Sequence, residues 1–148
     1  MRLYIVFVFC VVLAGCMTQY APKSISGGYS EVRLNEDTIQ ISVEGNGFTS
    51  KDRARNIALL RAAELTLNSG YGRFVIVEKS LSMDTVGKED TDIYKINGMT
   101  LITGGEPIRK PDGLFTIRMV RPKDPDFATA YDARLIAEQL HAVLTPQQ

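Results

Sequence analysis

The chain has 148 residues, one domain's worth, with 17 Lys+Arg against 17 Asp+Glu, one His, two Cys and no Trp, and 45% of it is hydrophobic. Zero net charge with no basic excess argues against a nucleic-acid partner, whose phosphates call for a clustered positive face. A single His leaves little room for a His-rich metal site or for His-based catalysis.

The apolar residues are unevenly spread. Of the first 15 residues 13 are apolar, and the run over 3–14 carries no charge and follows Arg2. That run is short for a membrane-spanning helix, which needs about 20 residues, and it has the proportions of a signal-peptide core. It ends in Leu13-Ala14-Gly15-Cys16, which resembles the bacterial lipobox. The resemblance implies cleavage after Gly15 and acylation of Cys16; the other reading is an uncleaved anchor with an ordinary cysteine. Met17 stands where retention in the inner membrane usually shows Asp, so the expected address is the outer membrane.

Cleavage changes the arithmetic. Removing 15 of 148 residues leaves 133, with 16 basic and 17 acidic side chains and 53 apolar residues, an ordinary soluble-domain composition. Cys10 would leave with the signal and Cys16 would carry the lipid, so neither serves a disulfide, a metal or a nucleophile. Several acyl chains, at about 0.8 kcal/mol per buried methylene, hold a domain at a bilayer without a spanning helix.

After the anchor, residues 17–28 combine Pro, Ser and Gly with no hydrophobic period and read as a flexible tether. Residues 29–34 alternate, Ser30, Val32 and Leu34 against Tyr29, Glu31 and Arg33. The turn residues Asn35-Glu36-Asp37 follow, and 38–44 alternates again with Ile39, Ile41 and Val43 on one side. This predicts an antiparallel hairpin with one apolar face. Gly45-Asn46-Gly47 stops the second strand. Thr49 or Ser50 then caps a helix over 51–69, with Asp52 as a weak capping-box partner of Thr49 and Gly70 at the left-handed C-cap position. Its apolar residues exceed one stripe, so the helix is expected to be covered on more than one side.

Phe74-Val75-Ile76-Val77 reads as a strand buried on both faces. Residues 81–113 form a variable hairpin region: Asp84, Glu89, Asp90 and Asp92 suggest an acidic loop, 93–102 holds strand signals, and Lys110-Pro111-Asp112-Gly113 reads as a turn. A strand over 114–121 ends at Pro122 and Pro125, and Asp126 caps a last helix over 127–144. The expected fold is α+β, a mostly antiparallel sheet with two helices packed on it in the order β-β-α-β-(hairpin)-β-α, as one monomeric domain over 29–145.

The lipobox Cys16, the stretch Gly45-Asn46-Gly47-Phe48-Thr49-Ser50, the helix core Ala58-Leu59-Leu60-Arg61-Ala62-Ala63-Glu64-Leu65-Thr66-Leu67, Gly70-Tyr71 before Phe74-Val75-Ile76, and Ala130-Tyr131-Asp132-Ala133 together resemble a group of small uncharacterised proteobacterial lipoproteins. The resemblance covers most of 27–144 and is weakest between 81 and 106. It implies a membrane-tethered, periplasm-facing domain and carries no catalytic residue across.

Few residues suggest chemistry. Arg61 falls inside the apolar sector of its helix, where an unpaired guanidinium is costly. Glu64, at i+3, is the expected partner, with Glu44 or Glu78 as a second carboxylate; the same two residues, Arg61 and Glu64, are the candidate contact for an anionic ligand or a partner. His141 shares one side of the last helix with Arg134 and Glu138, which reads as a solvated polar stripe. No Gly-x-Ser-x-Gly elbow is present. The acidic stretch 84–92 lacks the spacing of a calcium loop, and Gly45-Asn46-Gly47 lacks the rest of a phosphate-binding fingerprint. No metal or cofactor is therefore expected. The function expected is a non-enzymatic envelope interaction or assembly module. A ligand-binding lipoprotein with a pocket between sheet and helix is the alternative, and a cell-wall hydrolase the third.

Overall fold

The computed structural model describes residues 17–85, 92–96, 99–103 and 109–145. Cys10, Cys16, Glu89 and Asp90 lie outside the described residues, and with them the signal, the lipidation site and most of the acidic stretch.

Alternation sets the sheet. In β2 (Thr38–Glu44) the side chains of Ile39, Ile41 and Val43 are buried, and the register sets Ile39 opposite Ile117 and Ile41 opposite Phe115 of β6 (Arg109–Val120). Paired residues share a face, so one apolar surface runs across both strands and on to Phe74 of β3 (Arg73–Thr85), which lies opposite Met119. β1 (Gly28–Arg33) and the short β7 (Tyr131–Asp132) complete an antiparallel sheet of order β1-β2-β6-β3-β7. A separate hairpin pairs β4 (Asp92–Ile96) with β5 (Met99–Thr103), two strands where the sequence suggests a single strand region.

α1 (Lys51–Asn68) lies on the apolar face. Ser50 caps it, its side chain accepting from the Arg53 N–H, and Gly70 closes it in the left-handed region at φ 79°. Gly70 N–H donates to Leu67 O and Tyr71 N–H to Thr66 O, the paired bonds of a Schellman motif. Ala54, Ile57, Ala58 and Leu60 are buried. α1 packs on β2, β3 and β6 on one side and on α2 (Ala133–Leu144) on the other, which explains why its apolar residues outrun one stripe. The fold is thus α+β, a five-stranded antiparallel sheet with two helices.

Several details depart from expectation. The last helix starts at Ala133, not 127: Asp132 caps it by accepting from Leu135 N–H at 3.0 Å, and residues 125–128 form a single 3-10 turn instead. Tyr131 stacks on Phe74 at 5.6 Å and Ala133 N–H donates to Gly72 O, so tertiary contacts place the helix start after Asp132 and not after the expected Asp126. Residues 110–113 are not a turn but part of β6. Pro111 lies past the end of β2, where its missing donor is not needed, and its carbonyl accepts from Gly45 N–H at 2.7 Å. Gly45 must be glycine here, because a Cβ would meet the Pro111 ring at 2.4 Å. β3 is not buried on both faces: after Phe74 it bulges between Ile76 and Glu78, and Val77 is 60% exposed. In β1, Val32 and Leu34 are exposed, and the helix-side residues are Tyr29, Glu31 and Arg33.

The largest correction concerns residues 17–28, which are not a free tether. Thr18 is 1% exposed. Its N–H donates to Thr49 Oγ1, its hydroxyl to Ser26 O, and its carbonyl accepts from Arg53 Nε at 2.8 Å. Tyr29 N–H donates to Ala21 O and Lys23 N–H to Tyr29 O, so the segment is laid along the start of β1. The Pro, Ser and Gly that suggest a linker instead make a fold-back whose polar backbone groups find partners on the domain.

Candidate functional site

Arg61 and Glu64 lie on one side of α1, one turn apart, and their side chains meet: Arg61 Nη1 donates to Glu64 Oε2 at 3.1 Å. The second carboxylate is neither Glu44, which pairs with Lys23, nor Glu78, which is exposed. It is Glu31 of β1, reached by Arg61 Nη2 at 2.6 Å and Nε at 3.3 Å. Alternation explains why: β1 pairs Glu31 with Ile41, so Glu31 must point to the helix side at the sheet margin, beside α1. The guanidinium also lies over the Tyr29 ring, 4.8 Å from its centroid.

Glu64 collects further donors. Tyr20, from the N-terminal segment, donates its hydroxyl to Glu64 Oε2, and His141 Nε2 of α2 lies 3.2 Å from Glu64 Oε1. Tyr20 packs against Tyr29 at 4.9 Å and edge-on to His141 at 6.4 Å. His141 therefore meets Glu64 of α1 while remaining exposed, as Arg134 and Glu138 are. Its other ring nitrogen lies 3.4 Å from Thr145 Oγ1.

The electrostatics follow from this crowding. Burial, then the Glu64 carboxylate, push the Tyr20 hydroxyl well above the usual phenol range. The hydrogen bonds to Glu31 hold Arg61 more firmly protonated than an ordinary arginine. Each of the three guanidinium nitrogens of Arg61 donates to a carboxylate, and both oxygens of Glu64 are engaged. Such a cluster is a clamp: it joins the N-terminal segment, β1, α1 and α2 through one carboxylate and one guanidinium. Sequence reasoning found Arg61 and Glu64, whose spacing is local, and missed Tyr20, Tyr29, Glu31 and the partner of His141, whose contacts are long-range.

Other sites are spare. Ile39, Ile41, Ile57, Leu60, Phe115 and Ile117 pack between sheet and α1, each at 1% exposure or less. Two adjacent depressions lie at the C-terminal end of α1. One, of about 320 Å³, is lined by Gly70, Tyr71, Val120, Arg121 and Phe127 among others. The other, of about 160 Å³, is lined by Glu36, Asp37, Tyr71 and Arg121 among others. Arg121 donates to Tyr71 OH at 3.0 Å and stacks on its ring, so the two share a wall. Among the described residues no three His, Cys, Asp or Glu side chains are grouped to hold a metal, and no helix is long and apolar enough to cross a membrane. Comparisons with protein-family models, with curated proteins and with solved structures return no match for the chain.

Proposed function

We propose that the chain is an envelope lipoprotein, anchored through Cys16 in the outer membrane, whose periplasm-facing α+β domain takes a protein partner by strand addition and catalyses no reaction. The lipobox Leu13-Ala14-Gly15-Cys16 and the likeness to small proteobacterial lipoproteins support the anchor. The observation that carries the interaction reading is the outer edge of β3. β6 pairs one side of β3 from Arg73 to Thr85, whereas β7 covers the other side only at Arg73 and Phe74. From 75 to 81 no other described strand pairs with that edge. A row of backbone donors and acceptors is thereby left for an added strand. The β1 edge is shorter and its start is taken by the fold-back of residues 22–29.

The bulge at Val77 and the exposed Lys79 are features that discourage indiscriminate edge pairing, which suits a selective contact. A photo-crosslinking amino acid at Lys79, in the full lipoprotein expressed in its membrane, tests the reading against the same probe at Leu135 on α2. A discrete protein adduct at position 79 and none at 135 is the expected result; identical patterns at both positions, or no adduct at 79, would overturn strand addition at β3.

A further inference from the structure

Three large apolar side chains protrude around one hydrogen-bonded knot. Ile25 is 109% exposed, Phe48 71% and Met17 44%. Met17 precedes the buried Thr18, whose hydroxyl donates to Ser26 O, next to Ile25. Asn46 Nδ2 also reaches Ser26 O at 3.3 Å, and Asn46 Oδ1 accepts from Phe48 N–H at 3.0 Å. The three side chains therefore emerge from one end of the domain, where β2 ends and α1 begins. Exposed large apolar residues gathered in one place mark a contact.

The position of the anchor identifies the contact. Cys16 is bonded to Met17, and consecutive Cα atoms are about 3.8 Å apart, so the lipidated residue lies within about 8 Å of Thr18, whatever its conformation. Thr18 is itself fixed to the domain by bonds to Ser26, Thr49 and Arg53. A domain so held has no slack with which to leave the membrane. We infer that this end rests on the bilayer itself, with Met17, Ile25 and Phe48 set into the boundary between headgroups and acyl chains beside the lipid of Cys16. The inference rests on the lipid anchor proposed above. Interfacial burial of this kind scales with apolar area; nearby, Lys23 pairs with Glu44 and Arg55 with Asp52, while Lys51 and Arg53 add positive charge beside Phe48. β3 runs from the far end of the sheet at Arg73 toward this end, where the register aligns Ser82 with Asp112 and Asp112 with Glu44.

The test uses the full chain, processed and acylated in a bacterial host and reconstituted into phosphatidylcholine vesicles. Separate Ile25→Cys, Phe48→Cys and Leu135→Cys variants each carry a single environment-sensitive fluorophore. All three positions are exposed, so the substitutions spare the core, and Leu135 lies near the opposite end of α1, a helix about 27 Å long. The expected result is several-fold stronger quenching by nitroxide-labelled lipid at positions 25 and 48 than at 135, with aqueous iodide showing the reverse order. Acylated protein in which iodide quenches all three positions alike would overturn the seating and leave the anchor standing. Protein whose intact mass lacks the acyl groups would overturn the anchor and the seating with it.

Discussion

Thr49 Oγ1 lies 2.7 Å from Thr18 Oγ1, and both residues are buried. Thr49, one residue outside the cap of α1, is thus taken up by the N-terminal segment and leaves capping to Ser50. Thr18 Oγ1 also accepts from Asn46 N–H at 3.0 Å, so a single hydroxyl ties together residue 18, the strand-to-helix turn and the turn at Ser26.

Replacing that hydroxyl by a methyl group of similar shape removes its bonds to Asn46, Thr49 and Ser26 but strands none of them, since Asn46 N–H also reaches Thr49 Oγ1, Thr49 Oγ1 also reaches Asn46 Oδ1, and Ser26 O also accepts from Asn46 Nδ2. Thr18→Val is expected to cost about 1 kcal/mol, the net worth of hydrogen bonds exchanged for weaker ones. Urea denaturation reads the loss, and limited proteolysis after Lys23 should become faster as the segment detaches. Unchanged stability and unchanged cleavage would show that residues 17–28 are held by other contacts.

Arg61→Met removes the cation from between two carboxylates. Removing one partner of a fully buried ion pair costs about 3–5 kcal/mol, but these side chains retain 20–30% exposure, so a loss of about 1–2 kcal/mol is expected. The rescue is asymmetric. Glu31→Gln should recover most of the loss, because Glu31 has Arg61 as its partner in the cluster, whereas Glu64→Gln should recover little, since Glu64 also holds Tyr20 and faces His141. A double-mutant cycle by thermal melting checks this, and equal rescue by both would contradict the geometry.

Tyr20 governs the alkaline limit. Its hydroxyl is raised above the ordinary phenol value by burial and by Glu64, so the folded state keeps the proton that the unfolded chain releases above about pH 10. The stabilisation is fully present below that pH and is lost as pH rises through it. Tyr20→Phe should therefore be less stable at neutral pH yet show a shallower decline between about pH 9.5 and 11. Parallel stability curves for the two proteins would show that Tyr20 ionises normally.

Gly70 has no atom within 4 Å of where a Cβ would stand, so its role is purely conformational. Gly70→Ala is expected to cost about 1–2 kcal/mol for the left-handed backbone, and Gly70→Asn less. Equal melting temperatures for Ala and Gly at this position would contradict the Schellman closure.

Features set by neighbours in sequence were readable without coordinates. Alternation at Ile39, Ile41 and Val43 marks β2, the pair Thr49 and Ser50 and then Gly70 mark the ends of α1, with the structure selecting Ser50 as the cap, and the i+3 spacing of Arg61 and Glu64 marks half of the clamp. What was not readable depends on partners far along the chain. Asp126 and Asp132 are both plausible caps by composition, and only the packing of Tyr131 on Phe74 selects the second. Glu31 is separated from Arg61 by 30 residues and meets it only because the β1 register aims it over the sheet margin. Residues 17–28 have the composition of a linker, and only the positions of Thr49, Arg53 and Glu64 turn them into part of the domain.

The proposed lipid anchor at Cys16 underlies both the proposed envelope role and the inferred seating of the Thr18 end on the bilayer. The intact mass of the chain isolated from membranes tests it most directly. The account predicts a protein that has lost its first 15 residues and gained a diacylglyceryl group and an amide-linked acyl chain, with Cys16→Ser abolishing both changes. A membrane-bound protein that retains residues 1–15 and a free Cys16 thiol would contradict it.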